Sequence, residues 1–290
     1  MFDYYPQFTN VTAQARRQAD ELERATIARA DLLIYPTSWA ARSAIEDYGA
    51  DPAKVHVQPY GANIAETPSR EMALAPRRRS GCKLIFVGVD WSRKGGAIAL
   101  EAVRCLRRQG LEAELTILGC IPREPIEAPA VTVIPFLDKN DPAQRDLVRA
   151  LYLDADFLIL PTRSECYGIV FCEAAAHGLP SITAATGGVP DVVRDGINGY
   201  TLPTSAGGAD YAALIRDVLQ QPGRHDRLRE SSRMEFERRL NWDVWGRETA
   251  RLVAGLLDLR AARSRTRELR VWIGATRTAS SMAVMTSSNS

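Results

Sequence analysis

The sequence predicts an α/β protein: a complete, doubly wound parallel-sheet domain over residues 77–240, preceded by part of a second α/β domain. Two observations carry this. Short, continuous apolar runs at Lys83 to Val87, Glu114 to Leu118, Val131 to Pro135, Phe157 to Leu160, Ser181 to Ala184 and Tyr200 to Leu202 read as strands covered on both faces. Helical periodicity fills most of the gaps, and alternation of strand with helix is the pattern of parallel strands joined by crossovers.

Taken in order, Val11, Ala15, Ala19, Leu22 and Ala25 make a helical stripe over residues 11–30. The apolar run at Leu32 to Tyr35 is a strand, Ser38 to Tyr48 a helix, and Val55 to Tyr60 a second strand. Two parallel strands alone leave backbone donors and acceptors unpaired and apolar faces wet, so residues 1–76 are expected to be the remnant of a larger domain. Residues 64–81 are polar, basic and Pro-containing, as an interdomain linker is. Beyond them the strand ending at Val87 leads into the loop Gly88 to Gly96, and Ala97 to Arg108 forms a helix with Leu100, Val103, Cys105 and Leu106 inward. Residues 241–259 form a terminal helix with a stripe of Trp242, Trp245, Leu252, Val253 and Leu256. The Arg-rich residues 260–290 are expected to be a disordered basic tail, with attraction to anionic lipid as the alternative.

Composition narrows the functional classes. At 290 residues with 46% hydrophobic and 25% charged, the chain has the makeup of a folded globular protein. A net charge of +2 argues against a nucleic-acid partner, and no apolar run reaches the ~20 residues that span a bilayer, so membrane contact is expected to be peripheral. The five cysteines lack metal-ligand spacing and read as reduced thiols in a cytoplasmic protein.

In a doubly wound sheet, ligands sit beyond the carboxyl ends of the strands, where the loops after Val87 and Leu160 fall. In the second loop, Cys166, Tyr167, Gly168 and Ile169 lie where a helix begins. Backbone N–H groups and the positive end of the helix dipole there favour phosphate, and Gly168 lets a ligand approach closely. In the first loop, Arg93 and Lys94 supply charge that neutralises a diphosphate as it leaves. Glu165 and Glu173 repel phosphate but accept hydrogen bonds from sugar or ribose hydroxyls. The set describes a diphosphate flanked by hydroxylated rings, a nucleotide-sugar.

The run from Leu160 to Pro203 resembles the donor-site signature of GT-B fold retaining glycosyltransferases, in particular family 4. It has Glu-x7-Glu at Glu165 and Glu173, then Glu173 to Pro180 (EAAAHGLP), then Gly187 to Gly199 (GGVPDVVRDGING). Phe86 to Gly96 resembles the family too, and Ser38-Trp39 and Pro59 to Asn63 do so more weakly. The resemblance implies two Rossmann-like domains, of which the first, acceptor-binding one is present only as residues 1–76. The chain is accordingly expected to be N-terminally truncated. Residues 241–259 correspond to the helix that crosses back to that first domain. The implied activity is metal-independent transfer of a sugar from a UDP-, GDP- or ADP-sugar to a hydroxyl acceptor, with retention at the anomeric carbon and no cofactor.

By the same resemblance, Glu165 contacts the donor sugar near the reacting carbon and is the catalytic residue, while Glu173 holds the ribose. Backbone groups of Tyr167, Gly168, Ile169 and Val170 face sugar and diphosphate, Arg93 and Lys94 hold the diphosphate, and Phe136 and Leu137 lie by the base. Many relatives have an arginine where this chain has Val89, which leaves the charge to Arg93 and Lys94. The histidine and Gly-rich loop usual in the acceptor domain have no counterpart here. Two alternatives stand beside transfer: a donor-binding module whose other half is supplied by another chain, and an NDP-sugar epimerase or phosphorylase of the same fold. Plainer readings also exist for single residues. Glu165 and Glu173 read alone are a cap and a surface charge, and Asp154 and Asp156 end a helix and enter a strand rather than hold a metal. His177 meets the dipole of a helix C-terminus.

Overall fold

The computed structural model describes residues 4–5, 8–76, 81–122, 129–262 and 271–273. The chain divides into two compact units, one of residues 61–241 and the other of residues 1–60 with those from 242 onward.

The smaller unit contains α1 (Ala13–Arg29), β1 (Leu32–Tyr35), α2 (Ser38–Glu46), β2 (Val55–Val57), α10 (Trp242–Ala262) and β9 (Val271–Ile273). Thr12 and Thr37 begin α1 and α2 by accepting hydrogen bonds from the amides of Ala15 and Ala40, which satisfies donors that a helix start leaves open. Leu33 and Tyr35 from β1, Ile27 from α1 and Ala41 and Ala44 from α2 meet in one apolar core. The strands form a parallel sheet in the order β2-β1-β9. Residues 271–273 thus pair with β1, where a structureless tail was expected, and they give β1 a hydrogen-bonded neighbour on each side. The rest of that tail, residues 263–270 and 274–290, lies outside the described residues.

The larger unit is a doubly wound parallel sheet, as predicted. Its strands are β3 (Cys82–Val87), β4 (Ala113–Leu118), β5 (Val131–Ile134), β6 (Phe157–Leu160), β7 (Ser181–Ala184) and β8 (Gly199–Leu202), ordered β5-β4-β3-β6-β7-β8. Its helices are α3 (Arg70–Ala73), α4 (Gly96–Arg108), α5 (Pro142–Asp154), α6 (Ile169–Ala176), α7 (Val189–Val192), α8 (Gly208–Gln220) and α9 (Arg224–Arg239). Every residue of β6 and β7 is buried, which explains why these strands are unbroken apolar runs rather than alternating ones. The sheet of this unit starts at β3, winds outward through β4 and β5, and returns to β6 beside β3. Strand order therefore reverses between β3 and β6, where such sheets open a crevice.

Residues 61–76 belong to this unit, so the boundary falls between residues 60 and 61 rather than at 76. The cause lies in α9. Arg229 is buried and donates to the carbonyls of Ala73 and Ala75 at 2.9 and 3.0 Å, while Arg233 donates to those of Pro68 and Ala176 at 2.8 and 2.6 Å. Arg70 adds an ion pair with Glu237 at 2.7 Å. A polar segment is thereby strapped down by buried guanidinium groups that lack water and take backbone oxygens instead.

Candidate functional site

The loop after β3 is shaped by Asp90. Its carboxylate accepts from the Arg93 amide at 3.0 Å and pairs with Arg93 Nε at 3.3 Å. The chain then turns sharply through Gly95, at φ +77°, into α4. This directs Arg93 and Lys94 across to the loop after β6. Arg93 donates to the Ser164 carbonyl at 2.9 Å and approaches Glu165 at 3.9 Å, and Lys94 Nζ donates to the Glu165 carboxylate. The Lys94 and Glu165 side chains are only 12% and 11% exposed, so two cations and one anion share a largely dry space. Val89, by contrast, is 80% exposed and contributes no charge.

The loop after β6 is fixed to the first by the Arg163 amide, which donates to the Arg93 carbonyl at 2.7 Å. It delivers Glu165 and then the start of α6 at Ile169. Gly168 precedes the helix at φ +85°, and a Cβ there would lie 2.4 Å from the Phe171 ring. Glycine is thus required by conformation and by space. Cys166 and Tyr167 turn their side chains into the core, and the Tyr167 hydroxyl sits 3.3 Å from Cys172 Sγ. These two residues offer only backbone to a ligand, while Gly168, Ile169 and Val170 are partly open at a helix start.

Glu173, farther along α6, sits in a second group that the sequence did not announce. Its buried carboxylate accepts from the Tyr152 hydroxyl at 3.1 Å through one oxygen and from Lys139 Nζ at 2.8 Å through the other. Burial first, and then the neighbouring Glu173 charge, push the Tyr152 phenol well above its ordinary range. His177 stacks on the Tyr152 ring at 4.9 Å, and its Nδ1 meets the Glu173 carbonyl at 2.7 Å. A carbonyl only accepts, so Nδ1 carries the proton. A cavity of about 70 Å³ opens beside these side chains, with Asn63, Glu66 and Arg149 also on its walls. Phe136, 70% exposed, and the half-buried Leu137 stand on the loop that carries Lys139.

The helix-dipole expectation for His177 needs correction. Burial above all, with Arg233, Arg149 and Lys139 adding to it, lowers its pKa from 6.5 to about 4, against the opposing pull of the Glu173 carbonyl. The imidazole is neutral at pH 7 and acts as a hydrogen-bond donor, not as a charge. The unfolded chain therefore binds a proton that the folded one refuses between pH 6.5 and 4. Stability is expected to fall through that window as pH is lowered, by up to about 3 kcal/mol. Urea titrations of the protein and of His177→Gln should show the extra acid sensitivity only in the former; parallel curves would refute the assignment. Asp154 and Asp156 are engaged separately, the first with Lys83 Nζ at 2.8 Å and the second with the Lys83 amide at 2.7 Å.

The geometry thus gathers Arg93, Lys94 and Glu165 where the two loops meet and places Glu173, on α6, in a separate polar group. Asp90, Lys139, Tyr152 and His177 escaped identification as site residues. Only Lys139, a lone lysine shortly after Phe136, had a position that hinted at it.

Comparison with known proteins places these loops in a family. Residues 81–221, which include both loops, match the model for glycosyl transferases group 1. The chain is 33% identical to a D-inositol 3-phosphate glycosyltransferase of Geodermatophilus obscurus over 215 residues, covering 68% of this chain and 47% of that protein. It is 31% identical to the Salinispora arenicola protein of the same name over 259 residues, covering 82% and 56% respectively. The chain therefore spans about half the length of the curated relatives it matches. Among solved structures, Anabaena HepE in complex with UDP and glucose superposes with a TM-score of 0.63 at 16% identity, over 88% of this chain and 70% of that one. Sucrose-phosphate synthase from Thermosynechococcus elongatus gives 0.62 at 20% identity, over 87% and 65%. With the reversal of strand order at β3 and β6, these likenesses make residues 81–221 a domain of the glycosyl transferases group 1 type.

Proposed function

We propose that the chain binds a nucleotide-sugar and takes part in transferring its sugar to a hydroxyl acceptor with retention at the anomeric carbon, without a metal or other cofactor. The observation that supports this best is the convergence of Arg93, Lys94 and Glu165 where the loops after β3 and β6 meet. In this reading Arg93, Lys94 and the first amides of α6 neutralise the diphosphate as it departs. Charges fixed in a site that excludes water act more strongly there than in solution. Glu165 holds the sugar by its hydroxyls near the reacting carbon, Glu173 holds the ribose, and Phe136 and Leu137 flank the base. A cytoplasmic location suits a soluble donor of this kind, and no helix among the described residues is long and apolar enough to cross a membrane.

Calorimetry with UDP, GDP and ADP, followed by their sugar conjugates, tests the assignment. One of the three is expected to bind at micromolar concentration, and no binding by any of them would refute it. A second reading is favoured by the placement of Arg93, Lys94, Glu165 and Glu173 all within residues 61–241. Here the chain is a donor-binding module that turns over only with an acceptor-binding partner. Tight binding of a nucleotide-sugar with neither hydrolysis nor transfer would select it.

A further inference from the structure

We infer that Tyr152 is a positioning residue for Glu173, fixing one carboxylate oxygen so that the other is presented to a ribose hydroxyl. The inference rests on the nucleotide-sugar reading and goes beyond the signature motif, which contains neither Tyr152 nor Lys139.

The two partners of Glu173 differ in kind. Tyr152 is fully buried, its hydroxyl donates to one oxygen at 3.1 Å, and its ring is clamped by His177 at 4.9 Å with the planes 20° apart. His177 in turn donates to the Glu173 main-chain carbonyl at 2.7 Å, so three residues from α5 and the end of α6 close on one another. Nothing in that group can move without leaving a buried polar atom unsatisfied, which makes the tyrosine contact permanent. Lys139, on the other oxygen at 2.8 Å, is 47% exposed on a loop. The carboxylate is buried at 6% exposure, but the lysine end of the pair is open to water, which competes for the ammonium. The lysine ammonium, a donor at hydrogen-bond distance, therefore stands where a ribose hydroxyl would donate, and it can withdraw to water when the nucleotide arrives.

The experiment measures affinity for whichever of UDP, GDP and ADP binds, and for its 2′,3′-dideoxy counterpart, by calorimetry. Tyr152→Phe keeps the ring on His177 and removes only the hydroxyl. It is expected to weaken the ribonucleotide about 10-fold and the dideoxy form less than twofold, while Glu173→Gln erases the preference for ribose and leaves Tyr152→Phe without further effect in the double variant. Lys139→Met is expected to tighten the ribonucleotide about threefold. Equal losses for both nucleotides in Tyr152→Phe, or no loss, would overturn the positioning role. A 10-fold weakening in Lys139→Met would make the lysine a ligand contact and overturn the exchange. Absence of binding by the unsubstituted protein would instead sink the nucleotide-sugar reading on which the inference rests. Thermal midpoints of each variant separate these results from unfolding.

Discussion

Gly95→Ala is expected to lower the thermal midpoint by roughly 10 °C, several times the effect of the same change at Gly110, because a shift of about 4 kcal/mol moves a domain of this size by that amount. Both glycines have left-handed backbones, at φ +77° and +83°. Alanine in that conformation costs about 1–2 kcal/mol at either position. The difference is in what the new methyl meets. At Gly110 it meets nothing within 4 Å, whereas at Gly95 it would lie 2.1 Å from the Pro161 carbonyl oxygen and 2.7 Å from its carbon. Those atoms are backbone at the end of β6 and cannot rotate aside. Relief requires the loops after β3 and β6 to separate, and those loops carry Arg93 and Lys94 on one side and Glu165 on the other. Nucleotide affinity should therefore fall with stability in Gly95→Ala and remain unchanged in Gly110→Ala. Melting curves and calorimetry on the two variants check this, and indistinguishable midpoints would show that the loops do not bear on each other as described.

Such a contact is not legible in sequence, where Gly95 and Pro161 lie far apart. What the sequence does carry is determined locally. Strands buried on both faces must be continuous apolar runs, so Phe157 to Leu160 and Ser181 to Ala184 identify themselves, and the turn at Gly168 follows from the helix it starts. Glu165 and Glu173 are legible because their spacing around that helix start recurs in a family. Tyr152 and Lys139 are not, because their relation to Glu173 arises only when α5 and the loop after β5 fold against α6. Residues 64–81 read as a linker for the same reason: the partners that strap Pro68, Ala73 and Ala75 down, Arg229 and Arg233, lie on α9, far along the chain. One miss was avoidable. Val271, Trp272 and Ile273 form an apolar, β-favouring triplet inside an Arg-rich stretch, and the composition of the whole tail obscured it.

Glu165→Gln is expected to reduce sugar transfer, or donor hydrolysis if the chain alone does not transfer, by about 10³-fold, while leaving affinity for the bare nucleoside diphosphate unchanged or up to about threefold tighter. The sign of the second effect follows from the ligand-free geometry. Lys94 is bound to Glu165 and largely shielded from water, and Arg93 lies 3.9 Å from the same carboxylate. A diphosphate entering between the loops must draw these cations away from the glutamate, so part of their attraction for it is offset by the contact they give up. Glutamine keeps the shape of the side chain and removes the competing charge. The nucleoside diphosphate then meets cations with less to lose, whereas a nucleotide-sugar forfeits the carboxylate proposed to grip its hydroxyls. The affinity gained from the sugar should accordingly shrink, and with it the orientation of the reacting carbon. Leaving Lys94 without its carboxylate should also lower stability by about 2 kcal/mol, less than for a fully buried pair because water reaches part of the site. Paired calorimetry with the nucleoside diphosphate and its sugar conjugate reads both effects. Should the variant lose affinity for the two ligands in equal measure, Glu165 would be acting on the diphosphate site as a structural counter-ion alone, and its role at the sugar would have to be given up.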